Sequence, residues 1–124
     1  MSIGFVILAM IFCHIVDDYY LQGVLASMKQ KKWWTKQDQY KSKYKHDYIV
    51  ALIMHSFSWG FMIMLPIAIK NNFQIDIAFI IIFAINVIVH GIVDNLKANK
   101  LKINLVQDQI LHMVQIFITA IILL

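Results

Sequence analysis

The sequence predicts an all-α fold, an integral membrane four-helix antiparallel bundle that forms a single transmembrane domain over residues 1–124. Three observations carry that prediction. Four stretches approach the roughly 20 mostly apolar residues that a spanning helix needs. Of the 124 residues, 60% are hydrophobic and only 15% charged, with a mean hydropathy of +0.69, which is more apolar surface than a water-soluble domain of this size can hide. The apolar runs are also too long for barrel strands and do not alternate with period two.

The first span is expected over Ile3 to about Ala26. Its opening, Ile3 to Val16, is apolar enough to suggest a secretory signal. No basic segment precedes it, and Asp17 and Asp18 stand where a small-residue cleavage motif belongs, so it reads as a retained membrane helix. The second span is expected over Tyr48–Ile69, with Pro66 near its end, where a missing backbone hydrogen bond is easiest to tolerate. The third runs from Ile75 to about Leu96 and the fourth over Ile103–Leu124. Cys13 is the single cysteine, so it forms no internal disulfide.

Charge supplies the orientation. Every basic residue is a lysine: Lys29, Lys31, Lys32, Lys36, Lys41, Lys43 and Lys45 fall between the first two spans, Lys97, Lys100 and Lys102 between the last two, and Lys70 stands alone between the second and third. By the positive-inside rule the first and third connections are cytoplasmic, which gives a multi-pass membrane protein with both termini outside. Trp33, Trp34, Tyr40, Tyr44 and Tyr48 lie among the first group of lysines and read as an aromatic belt. The sharper reading is an interfacial segment that attracts anionic lipid headgroups.

This orientation brings the polar residues of all four spans to one level. His14, Asp18 and Gln22 lie toward the inner end of the first span, His55 two turns into the second, His90 and Asp94 near the end of the third, and Asp108, Gln109 and His112 at the start of the fourth. At 1.5 Å per residue, these positions fall within about 15 Å of the cytoplasmic edge. The outer half is apolar apart from Gln115 and Thr119, which suits a cup open to the cytoplasm better than a channel.

Three aspartates stand four positions from a histidine: His14 with Asp18, His90 with Asp94, and Asp108 with His112. Residues four apart share a helix face, so each pair aims at one point in the interior. A lone charge at mid-bilayer costs about 2.5–3.5 kcal/mol on insertion scales, which makes three such pairs a functional signal. Imidazole and carboxylate ligands projecting inward from helices suit a divalent metal such as zinc, manganese or iron. The candidate ligands are His14, Asp18, His55, His90, Asp94, Asp108 and His112, in one metal centre or two. The candidate catalytic carboxylates are Asp18, Asp94 and Asp108. Spacing favours Asp18 as the partner of His14 and turns Asp17 about 100° away, toward His46 or another helix, though either aspartate can serve. Asn86, one turn before His90, reads as a hydrogen-bonding contact, and Gly91 as a point of close helix approach.

The alternative is structural: the same pairs act as polar contacts between helices, and the protein works without catalysis by binding a partner or remodelling the membrane. Nucleotide-binding glycine loops, a serine elbow and a CxxC pair are all missing from the sequence, and the lack of arginine argues against nucleic-acid binding. His-Ile-Val-Asp from His14 and His-Gly-Ile-Val-Asp from His90 each open a unit followed by a span with a single inward histidine, compatible with a duplicated hairpin.

His14-x3-Asp18-x3-Gln22, His55, His90-x3-Asp94 and Asp108-Gln109-x2-His112 together resemble a family of small integral membrane proteins of bacteria and their phages, with Tyr19 where that family shows phenylalanine. The resemblance implies the membrane fold, this polar set and a place in the cytoplasmic (inner) membrane of a bacterium, and carries no activity with it. A metal-dependent hydrolase acting on a phosphorylated lipid or another anionic substrate is the expected function. The expected surroundings are the bilayer and its anionic headgroups, with homo-oligomerisation open.

Overall fold

A computed structural model of the chain describes residues 1–36 and 42–124. Residues 37–41 of the first lysine-rich connection, Tyr40 and Lys41 among them, therefore lie outside the described residues. The elements are α1 (Ile3–Ile15), a π-helical continuation (Val16–Leu21), the short α2 (Leu25–Met28) and α3 (Lys31–Trp34), then α4 (Asp47–Lys70), α5 (Ile77–Ala98) and α6 (Leu105–Leu123). Among the described residues there is no strand. Four helical stretches, 3–21, 47–70, 77–98 and 105–123, are long and apolar enough to cross a bilayer.

Local chemistry sets where the helices start. Ser2 accepts a hydrogen bond from the Phe5 amide at the head of α1 (3.3 Å), and Asp76 does the same for Phe79 at the head of α5 (2.8 Å). Asn104 and Gln107 form a reciprocal capping box at the head of α6. After α4 the chain turns through Asn72 and Phe73, both with positive φ, and the Phe73 amide reaches back to the Ala68 carbonyl. Pro66 is accommodated inside α4, four residues from its end.

The first helix is shorter than expected. It stops at Leu21 instead of running to Ala26, because Gly23 takes a φ of +48°, a left-handed conformation that carries no steric cost only for a residue without Cβ. The chain then folds into α2 and α3, two short helices within a connection for which the sequence suggested only an interfacial segment. Just before that stop, the backbone widens from α to π geometry over Val16–Leu21, the kind of local irregularity that recurs at functional sites.

The helices pack α1 and α5 against α4, and α6 against α1 and α5. Val6 and Met10 of α1, Trp59, Ile63, Met64 and Ile67 of α4, and Ile116 and Ala120 of α6 make one apolar core. The outward faces carry large apolar side chains, among them Phe5, Leu8, Phe12, Phe57, Ile81, Ile88, Phe117 and Ile121. Within the same helical stretches His14, Asp17, Asp18, His55, His90, Asp94, Asp108 and His112 are buried instead, the reverse of the usual placing of polar side chains.

Candidate metal centre

Each long helix delivers polar side chains to the same buried place. α1 brings His14, and its π-helical continuation brings both Asp17 and Asp18 inward. α4 brings His55, α5 brings His90 and Asp94, and α6 brings Asp108 and His112; all eight are buried. The two consecutive aspartates both lie in the π turn and both are buried, pointing to different neighbours. Asp18 Oδ2 lies 3.6 Å from His14 Nδ1, while Asp17 accepts a hydrogen bond from the Ser58 hydroxyl (2.5 Å) and lies 3.7 Å from His55 Nδ1. Asp18 is thus the aspartate that lies beside His14, and Asp17 reaches α4. Gln22 holds the turn by donating its amide to the Asp18 carbonyl.

The heart of the site is His55 Nε2. It stands 3.2 Å from His90 Nε2, 3.3 Å from Asp18 Oδ1 and 3.3 Å from Asp94 Oδ2. His90 Nε2 is 3.7 Å from Asp94 Oδ2, and His112 Nε2 is 3.4 Å from Asp94 Oδ1. One ring N–H serves one acceptor, so hydrogen bonding alone cannot satisfy this convergence. The spacings match a coordination polyhedron better: metal bonds of about 2.0–2.1 Å to nitrogen and oxygen place tetrahedral ligands roughly 3.3–3.4 Å apart. Two overlapping triads, Asp18/His55/His90 and His90/Asp94/His112, bring their ligand atoms close enough to hold an ion.

Several buried polar atoms around this point have no hydrogen-bond partner: Asp18 Oδ1, Asp108 Oδ1, the Nδ1 atoms of His55, His90 and His112, and His112 Nε2. Each such atom costs about 1–3 kcal/mol of lost solvation. The ring of His90 stacks against both Trp59 (4.2 Å between centroids, 19° between planes) and His112 (4.3 Å, 27°), whose own rings lie 5.3 Å apart, so the three make one cluster. The donor set is imidazole and carboxylate held on four rigid elements, which fits a divalent transition metal.

Not every expected ligand joins the convergence. His14 has both nitrogens engaged elsewhere: Nδ1 accepts from the Trp59 indole N–H (2.7 Å), so Nε2 carries the proton and donates to Gln109 Oε1 (3.0 Å). Asp108 is held on its Oδ2 by Lys97 (2.5 Å) and the Gln109 amide (3.0 Å), leaving Oδ1 at 3.5 Å from His112 Nε2. His14 and Asp108 thus lie in a shell around the two triads.

Three contributors are not apparent from the sequence pattern. Lys29, counted there as a topology signal, is buried with its ammonium 2.6 Å from Asp94 Oδ2. Lys97 closes on Asp108. Trp59 forms the floor, and its position four residues after His55 on the same helix face is the one sequence signal that marked it. Beyond the floor a second polar layer appears: the Asn86 amide donates to Thr119 (2.8 Å), and the Gln115 amide donates to the Asn86 side chain (2.8 Å).

No family model, curated protein or solved structure matches this chain.

Proposed function

We propose that the protein is a four-span antiparallel membrane bundle that binds one divalent metal among Asp18, His55, His90, Asp94 and His112, near the lysine-rich end, and uses it in hydrolysis of a phosphorylated lipid. The observation that carries the metal reading is the convergence on His55 Nε2, where three ligand atoms from two other segments approach at 3.2–3.3 Å. Charge supports it. Asp17, Asp18, Asp94 and Asp108 are buried against two paired ammoniums, Lys29 and Lys97. Once the imidazoles are neutral, as ligation requires, two negative charges remain to balance one divalent cation.

Outward apolar faces and inward charge support insertion in a bilayer. A lipid substrate is supported by a groove of about 530 Å³ between α4 and α5. Its apolar wall includes Leu52, Ile53, Val87 and Ile88, and Tyr48, Asn95 and Lys100 supply polar groups. Ser56 and Gly91 also line it, and each adjoins a ligand histidine in sequence. An acyl chain suits the apolar wall and an anionic headgroup suits Lys100.

When bound, the metal supplies Lewis acidity at a phosphoryl oxygen and promotes ionisation of water near neutral pH. The chain's own residues do the rest. Trp59 and His112 fix the plane of His90, Asp17 holds its place on α4 through Ser58, and the carboxylates of Asp18 and Asp94 are the groups positioned to take a proton. Elemental analysis of detergent-purified protein is the direct test. About one equivalent of zinc, manganese or iron in the wild type and its loss in His90→Ala are expected. Metal-free wild-type protein that also fails to take up added zinc, manganese or iron would leave these residues as polar contacts between helices.

A further inference from the structure

Lys29 sits where a charged side chain from a connection has no evident business. It follows the short α2, and its ammonium is buried at 2.6 Å from Asp94 Oδ2, the same oxygen that lies 3.3 Å from His55 Nε2 and 3.7 Å from His90 Nε2. A bound ion and the lysine therefore draw on one carboxylate oxygen. The backbone around Lys29 is anchored to α5 through a single side chain: Asn99 donates to the Lys29 carbonyl (3.0 Å) and accepts from the Lys31 amide (2.6 Å). Gly23, with positive φ, links this segment to the first helix.

We propose that Lys29 is a tethered cation that competes with the metal for Asp94 and sets how tightly the ion is held. This rests on the metal reading above. An ammonium placed a bond length or two from a ligand oxygen lowers that oxygen's availability and repels a dication. Removing the positive charge raises the site's affinity, and loosening the segment that carries it has the same sign. By reciprocity, binding of the ion weakens the hold of Lys29 and with it the docking of the segment that contains α2 and α3. The centre would then exchange its metal rather than lock it in, and the connection would report whether the ion is present.

The test is a cobalt(II) titration with zinc competition on detergent-purified wild type, Lys29→Met, Lys29→Arg and Asn99→Ala, with helicity checked by circular dichroism. Lys29→Met is expected to bind zinc at least about tenfold more tightly, Lys29→Arg to keep the wild-type affinity, and Asn99→Ala to bind more tightly than wild type. A folded Lys29→Met that binds zinc no more tightly than wild type overturns the proposal. If Lys29→Met does not fold, an unchanged affinity in Asn99→Ala overturns it instead. Absence of metal from every variant would remove the metal reading and this inference together, whereas metal in all of them at equal affinity would remove only this inference.

Discussion

Asp94 is the side chain on which most of the interior depends, approached by Lys29, His55, His90 and His112. Replacing it with asparagine has two consequences that separate in an experiment. The ammonium of Lys29 loses its carboxylate, which costs about 3–5 kcal/mol when a buried ion pair is broken from one side. The metal response is lost as well: an ion at one hundred times its dissociation constant contributes about 2.7 kcal/mol to a folded state that alone binds it. Chelation is therefore expected to lower the wild-type melting temperature, added zinc to restore it, and Asp94→Asn to show a low melting temperature that neither treatment moves. Asn86→Ala is the contrast. It orphans Thr119 and leaves the Gln115 amide only the residue-86 carbonyl, at a cost of about 1–3 kcal/mol, yet its response to chelator should match the wild type. Equal chelator responses in Asp94→Asn and wild type would remove Asp94 from the centre.

At the scale of elements, the site depends on how closely α4 and α5 approach. A Cβ built on Gly91 would stand 3.0 Å from Ser56 Oγ, and that hydroxyl is already committed to the Leu52 carbonyl at 2.6 Å. Gly91→Ala therefore forces the two helices apart beside His55 and His90, with an expected cost of about 1–3 kcal/mol. Adding Ser56→Ala removes the clashing oxygen and leaves its Cβ at 3.8 Å, so the double variant should recover most of the loss in a thermal melt. A single Gly91→Ala that melts like wild type would show that this approach is not limiting. Gly23 works through the backbone instead. Alanine there must hold a φ near +48° at a cost of roughly 1–2 kcal/mol, and because that turn places the segment carrying Lys29, looser docking should raise zinc affinity as well. Stability and affinity unchanged in Gly23→Ala would contradict both expectations.

At the scale of the whole molecule, lysine placement and the outward apolar faces together predict orientation. With both termini outside, Ser2→Cys in a Cys13→Ser background should react with an impermeant maleimide added to intact cells, and Ser42→Cys should react only after the membrane is opened. Labelling of Ser42→Cys from outside would invert the topology and place the metal site at the opposite face. The polar groups would remain at one level in either case, because their depth is set by position along each helix.

The helices and the polar residues inside them were legible in the residue pattern alone. Long apolar runs have few options other than helix, and their ends were legible to within a few residues except after the first, where Gly23 stops the chain early. The four-residue spacing also placed Asp18 beside His14, since that relation lies within one helix. Which partners each group took was settled by packing between helices. Trp59 and Gln109 occupy both nitrogens of His14, and the π turn admits Asp17 beside Asp18. Lys29 returns from a connection to meet Asp94, 65 residues away. Those choices rest on the rotation of one helix against another and on where a connection re-enters, and neither is written in the periodicity of any single segment.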